Sequence, residues 1–220
     1  MERGLKMDKA AFLARLPKSG MGPPVRPQGP PEPPPQDALD TLVQKLRATG
    51  MGVHVLDNVD EALQKALGLI KESGADRLGA AGLGGELNEL LSQTAQALGI
   101  EVVSAGDDRA QAESYEPLPA GLTRAELAVA QVGALVQAAR PGGGRLMSLM
   151  PPLHVALLSA KDILPAMADL PDALQDPTRF PEGMPPAVSL IGGPSKTGDI
   201  EAVIVLGVHG PGRVEVVIWT

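Results

Sequence analysis

The chain contains no cysteine. Disulfides, thiolate zinc sites, cysteine-ligated iron–sulfur clusters and a cysteine nucleophile are therefore excluded for it. Aromatic side chains are almost as scarce: two Phe, one Tyr and one Trp make up 2% of the residues. The core must be aliphatic, and a nucleic-acid platform built on base stacking is disfavoured. No apolar run approaches the roughly 18 residues of a membrane-spanning helix, so no membrane insertion is expected. The N-terminus carries scattered charges instead of an apolar signal region, which points to a cytoplasmic protein. Positive charge is also short, with 19 Lys and Arg against 26 Asp and Glu. Residues 1–35 hold a net charge of +3 and the remaining 185 a net charge of −10. An acidic body repels a phosphate backbone, so no nucleic-acid partner is expected.

What is present suits one folded domain with a tail: 220 residues, 44% hydrophobic and 20% charged. Residues 8–16 can form a short N-terminal helix, with Phe12 and Leu16 on one face. Residues 17–36 form a proline-rich linker, with nine prolines between Pro17 and Pro35. Proline fixes φ and lacks an amide donor, so the stretch is extended and semi-rigid: a tether, or a ligand for a proline-recognising module.

From residue 37 to 220 the pattern is that of an α/β domain. Leu39, Leu42, Val43 and Leu46 make one helical stripe, and Leu63, Leu67 and Ile70 another, opened by Asn58 as cap. Leu87, Leu90, Leu91 and Leu98 make a third stripe. Between them, residues 51–56, 77–81 and 100–105 read as short apolar strands. Strand–helix–strand units of this length imply an open, mostly parallel sheet flanked by helices. In the second half, 123–131 and 161–170 read as helices, 134–139, 154–160, 187–193 and 214–219 as strands, and the proline-bearing stretch 171–186 as a surface loop.

The segment Leu190 to Glu201 concentrates polar chemistry. It reads as a strand, a glycine turn at Gly192 and Gly193, and the start of a short helix. Ser195, Lys196 and Thr197 offer donors to an anion there, with Asp199 and Glu201 in the first helical turn. The spacing fails the phosphate-loop pattern, because Ser195 stands where a glycine should precede the lysine. Alternatively the segment is a capping turn with a Lys196–Asp199 ion pair. His209 lies on a tight glycine loop and could act as acid, base or anion donor, or could only shape the turn. Arg145 precedes and His154 ends the run MSLMPPLH, where rigid prolines could aim them at a carboxylate or phosphate, or leave them in a simple loop-to-strand transition. His54 reads as structural, and the three histidines are too scattered to ligate a metal. Gly82-x-Gly84 follows a strand and opens a helix, but Leu87 replaces the third glycine of a dinucleotide fingerprint.

GGPSKTGDIEAVIVLGVHGP (192–211), RLMSLMPPLH (145–154) and Gly121-Leu122-Thr123 together resemble the LUD-domain family. The likeness covers about 37–220 in layout and is specific mainly within 121–219. It implies a Rossmann-like fold of the NagB/RpiA/CoA-transferase group. It also implies a part in oxidising L-lactate to pyruvate, beside partner subunits that carry iron–sulfur clusters. One departure stands out: where the family commonly has Ala-Glu-Thr-Gly-Thr, this chain has Ala130-Gln131-Val132-Gly133-Ala134. An amide cannot serve as a general base near neutral pH.

The reading that results is an accessory subunit of a lactate-oxidising iron–sulfur complex, itself binding no cofactor or metal. A small anionic ligand would rest on Gly192, Gly193, Ser195, Lys196, Thr197, Arg145 and His154. Asp199, Glu201 and His209 are the candidates should the chain be catalytic. The rivals are a stand-alone enzyme of the CoA-transferase or sugar-phosphate isomerase kind, and a non-catalytic partner-binding module.

Overall fold

The structure is a computed structural model that describes residues 33–104, 118–139, 144–198, 204–207 and 209–220. The expected helix at 8–16 and most of the proline-rich linker lie outside the described residues, and 33–36 form neither helix nor strand. Helix α1 (Ala38–Ala48) starts where the Asp37 carboxylate accepts the Asp40 N–H at 3.0 Å. Asn58 caps α2 (Val59–Glu72) in the same way, accepting from Glu61 N at 2.9 Å. Such caps satisfy amide donors that a helix start otherwise leaves open, each typically contributing about 1 kcal/mol. Helix α3 (Gly85–Leu98) begins instead at Gly84 with no side-chain cap.

A six-stranded sheet takes the order β1–β12–β7–β4–β2–β3, and every neighbouring pair is parallel. Its strands are β1 (Gly52–Leu56), β2 (Arg77–Ala81), β3 (Glu101–Ser104), β4 (Ala120–Arg124), β7 (Leu153–Ser159) and β12 (Arg213–Trp219). Parallel sheets need cover on both faces. Alternation along β7 provides for this: Val155 and Leu157 join Leu63, Leu67 and Leu91 of α2 and α3, while Ala156 and Leu158 join Leu42, Val43 and Leu46 of α1. Each fully buried leucine contributes roughly 1.5–3 kcal/mol relative to exposure.

The second face is shared with a small four-stranded sheet in the order β8–β5–β6–β9: Ile163–Leu164, Leu127–Val129, Ala134–Ala138 and Val188–Ile191. Leu135 looks inward to the shared core, and Leu127, Val129 and Val136 pack outward against Leu170, Leu174 and Phe180. The remaining described elements are a short helix α4 (Gly144–Met147), helix α5 (Leu170–Gln175) and an antiparallel pair, β10 (Lys196–Gly198) with β11 (Ile204–Leu206).

Four expectations are corrected. Residues 123–131 are not a helix: they end β4 and form β5, buried on both sides, and such strands lack the alternation that marks half-exposed ones. Residues 161–170 are not one helix either. Pro165 interrupts them, leaving 3-10 turns at Ala160–Asp162 and Met167–Asp169 around β8. The stretch 171–186 is more than a surface loop, since α5 accepts Pro171 in its first turn and Leu174 and Phe180 are buried. Finally, Lys196 to Gly198 are strand rather than the start of a helix.

Candidate functional site

The topology selects one end of the large sheet. The chain leaves β2 for β3 at the edge, then returns to β4 on the other side of β2 and continues to β7 and β12. Connections from the neighbouring strands β2 and β4 thus depart in opposite directions. In open parallel sheets ligands bind at such a switch point, beyond the carboxyl ends of the strands. Here those ends are Gly82 and Arg124. Gly82 has φ +72°, and a Cβ there would lie 3.7 Å from the Arg124 carbonyl oxygen.

A cavity of about 260 Å³ opens at this point, lined by Gly82, Arg124, Glu126, Thr178, Arg179 and Phe180. Its size falls below the roughly 300–1,000 Å³ of sites for drug-sized ligands and suits a small one. A neighbouring cavity of about 350 Å³ shares Arg124 and adds Asp60, Glu86 and Trp219. A larger groove of about 530 Å³, lined by Ala139 and Phe180–Pro186, is mainly apolar and shares Phe180 with the first cavity.

Three elements bring the charges together. Arg124 ends β4. Asp162 follows β7 through the 3-10 turn that Ser159 opens, its hydroxyl accepting from Lys161 N at 3.4 Å. Arg179 follows α5, behind a turn in which Asp176 Oδ1 accepts from Thr178 N at 2.8 Å and from Thr178 Oγ1 at 2.7 Å. Those Thr178 bonds, the hydroxyl's first, hold the Asp176 carboxyl below the usual carboxylate range. Buried Asp162 receives Arg124 Nη2 on Oδ2 at 3.3 Å and Arg179 Nη1 on Oδ1 at 2.5 Å. The Arg124 guanidinium also lies 5.8 Å from the centroid of the Trp219 ring. The two arginine side chains remain 39% and 33% exposed, so they face both the carboxylate and solvent. Each guanidinium has five N–H donors in a planar fork matched to carboxylate or phosphate, and Arg179 Nε also lies 3.9 Å from Asp176 Oδ2.

Behind the cavity wall runs a buried polar chain. Glu126 Oε2 accepts from Ala138 N at 2.8 Å and from Gln137 Nε2 at 3.4 Å. Gln137 Nε2 also donates to the Arg124 carbonyl at 3.2 Å, which fixes its Oε1 as the atom receiving the Thr123 hydroxyl at 3.1 Å. Thr123 Oγ1 has one proton and directs it there, so His154 Nε2 must donate to it across 2.9 Å. Burial pushes the His154 imidazole down to about 4 from its ordinary 6.5.

The residues singled out by sequence do not converge here. His154 is wholly buried between the sheets and joined to Thr123. Arg145, in α4, donates from Nε to Ser189 Oγ at 3.2 Å. Gly192 is exposed and Gly193 packs beside Thr49. Lys196 Nζ donates to Thr49 O at 2.8 Å, just past the end of α1. Ser195 N donates to Pro211 O at 2.8 Å, and Ser195 O accepts from Gly207 N at 3.1 Å. Thr197 lies in β10, and His209 is exposed in the turn before β12. This glycine-rich cluster therefore gathers at the amino ends of β1 and β12, opposite the crevice. Asp199 and Glu201 lie outside the described residues.

Other sequence features find structural partners. In the altered turn, Gln131 Oε1 accepts from Met167 N at 3.0 Å and Gln131 O receives the Lys45 amine. His54 Nε2 meets Glu215 Oε2 at 2.9 Å, and Arg213 Nε meets Oε1 of the same carboxylate at 2.8 Å. Among the described residues no group of three or more His, Asp or Glu could hold a metal ion. No described helix is long and apolar enough to cross a membrane.

The sequence reading missed Arg124, Glu126, Asp162 and Arg179. The signal that marked their place was Gly82-x-Gly84, which locates the carboxyl end of β2.

Comparison with known proteins agrees with this architecture. A Deinococcus radiodurans protein of the DUF162 family superposes with a TM-score of 0.57 at 18% identity, covering 83% of this chain and 96% of that one. "Uncharacterized protein YkgG" of Escherichia coli K12 is 31% identical over 184 residues, 80% of this chain and 77% of the relative. "Lactate utilization protein C" of Exiguobacterium sp. is 38% identical over 98 residues, 44% of this chain and 43% of the relative. The match to that relative thus spans less than half its length. The profile of the LUD domain matches residues 39–219, and the chain belongs to that family.

Proposed function

We propose that the chain serves lactate utilisation as a subunit that binds a small carboxylate anion in the crevice between β2 and β4. The single observation that carries the site is the pair of partly exposed guanidinium groups, Arg124 and Arg179, sharing one buried carboxylate, Asp162, at the switch point of the sheet. The names of relatives such as the Exiguobacterium and Halalkalibacterium halodurans proteins, both "Lactate utilization protein C", support the pathway. Electrons removed from lactate need an acceptor. A chain without cysteine supplies no thiolate for an iron–sulfur cluster, so the clusters belong to partner subunits in this reading. The glycine-rich segment 192–198 then has a structural part, anchored on the end of α1 through Lys196.

The test is lactate-dependent dye reduction by the iron–sulfur subunits, with and without this chain. Reduction is expected to need the chain, the chain alone to be inert, and Arg124→Gln to lower the rate at subsaturating lactate about tenfold or more. Equal reduction without the chain refutes the subunit role. Full activity of Arg124→Gln removes the crevice from it.

A further inference from the structure

We infer that Trp219 is a positioning residue for ligand binding in this crevice. Its indole face keeps the Arg124 guanidinium turned to Asp162 and the ligand, away from a competing pair of carboxylates. The inference rests on the reading that Arg124 holds a ligand carboxylate. Asp162 fixes Arg124 through Nη2 alone, at 3.3 Å, whereas charge-assisted bonds of this kind usually measure about 2.7–2.9 Å. A long side chain with one such bond needs a second contact to offset the rotamer freedom it gives up.

Trp219 supplies that contact. Arg124 ends β4 and Trp219 ends β12, with β7 between them. Their register partners on β7 are Leu157 and Ser159, two residues apart, so both side chains leave the same face of the sheet. The ring packs against the core beneath α2 and α3, and the guanidinium lies 5.8 Å from its centroid. At that distance the negative face of the ring attracts a cation, and Trp does so more strongly than Tyr or Phe. The flat face holds the guanidinium without consuming its N–H donors, which stay available to a ligand.

The need for such a hold lies on the other side of Arg124. The cavity of about 350 Å³ that Arg124 and Trp219 both line is also lined by Asp60 and Glu86, from the first turns of α2 and α3. Both carboxylates are exposed, and neither has a side-chain partner among the described residues. A guanidinium released from the indole would find there two groups offering what Asp162 offers. The crevice would then lose its donor fork to the neighbouring cavity.

The test is calorimetric binding of L-lactate to the full chain and its variants, with melting curves as the check on folding. Trp219→Phe keeps an aromatic face and should bind within about threefold of the unaltered chain. Trp219→Leu keeps apolar packing without that face and should bind about fivefold or more weakly. Adding Asp60→Asn and Glu86→Gln to Trp219→Leu should restore affinity to within about twofold, whereas the same pair in the unaltered chain should change it by less than about twofold. Trp219 is the only tryptophan, so its emission reports the contact without any change at that position. Arg124→Gln removes the cation from the ring and should alter the emission. The positioning role is overturned, and the crevice left standing, if Trp219→Leu binds no more weakly than Trp219→Phe. The same follows if the two neutralised carboxylates help Trp219→Leu no more than the unaltered chain, or if Arg124→Gln leaves the emission unchanged. If the unaltered chain binds no L-lactate, or Arg124→Gln binds it as before, the crevice reading fails and takes the positioning role with it.

Discussion

His154 is tied to Thr123 by a 2.9 Å bond at Nε2, while its Nδ1 is buried with no hydrogen-bond partner among the described residues. The ring is thus held as a neutral donor, with its other nitrogen buried between the two sheets. A group so placed is unsuited to gripping an anion, because the charged form it would need is the one that burial opposes.

The same arrangement makes stability depend on pH. Folding lowers the His154 pKa to about 4 from 6.5, so between those values the unfolded chain binds a proton that the folded chain refuses. The stabilisation from the neutral ring is complete above pH 6.5 and is lost as pH falls towards 4, by roughly 2 kcal/mol between pH 7 and pH 5. His154→Gln keeps a donor for Thr123 and cannot titrate. Urea denaturation at the two pH values should show a drop in the unaltered chain that is about 2 kcal/mol larger than in the variant. Equal drops would assign the acid sensitivity to other groups.

Two paired glycines provide a second prediction. Gly79 of β2 and Gly121 of β4 stand opposite one another in register beneath Met147. A Cβ on Gly121 would lie 2.0 Å from the Met147 carbonyl oxygen, which is backbone and has little freedom to move. On Gly79 it would lie 2.1 Å from Met147 Sδ, on a side chain that can swing aside. Gly121→Ala should therefore destabilise by about 3 kcal/mol and Gly79→Ala by about 1–2 kcal/mol. Chemical denaturation of the two variants distinguishes the cases, and equal losses would mean that α4 lifts off the sheet as a unit.

The parts of this fold that were legible in sequence are those with local signals. Leucine stripes marked α1 and α2, the second with Asn58 as its cap, and the alternation of these helices with apolar runs marked the parallel sheet. β4 and β5 misled because Ala, Glu and Leu favour helix locally, whereas burial between two layers decides their state. The crevice was hidden for a different reason. Asp162 lies 38 residues from Arg124 and 17 from Arg179, so no spacing within one element connects them. Local density drew attention to Gly192–Lys196 instead, yet its lysine is engaged by a helix end that lies 147 residues away in sequence.

Lys196 decides between the two ends of the sheet. Its amine donates to Thr49 O at 2.8 Å, where the carbonyls at the end of α1 carry partial negative charge. Removing it should cost about 0.5 kcal/mol, since the bond is exposed and a cation at a helix end contributes little more. Lys196→Ala should accordingly melt slightly early while binding L-lactate within about twofold of the unaltered chain. Arg124→Gln should show the reverse, weak binding with a nearly unchanged melting temperature in the absence of ligand, because its partner Asp162 keeps Arg179. Loss of lactate binding in a well-folded Lys196→Ala, with Arg124→Gln unaffected, would move the anion site to the glycine-rich segment at the amino ends of β1 and β12.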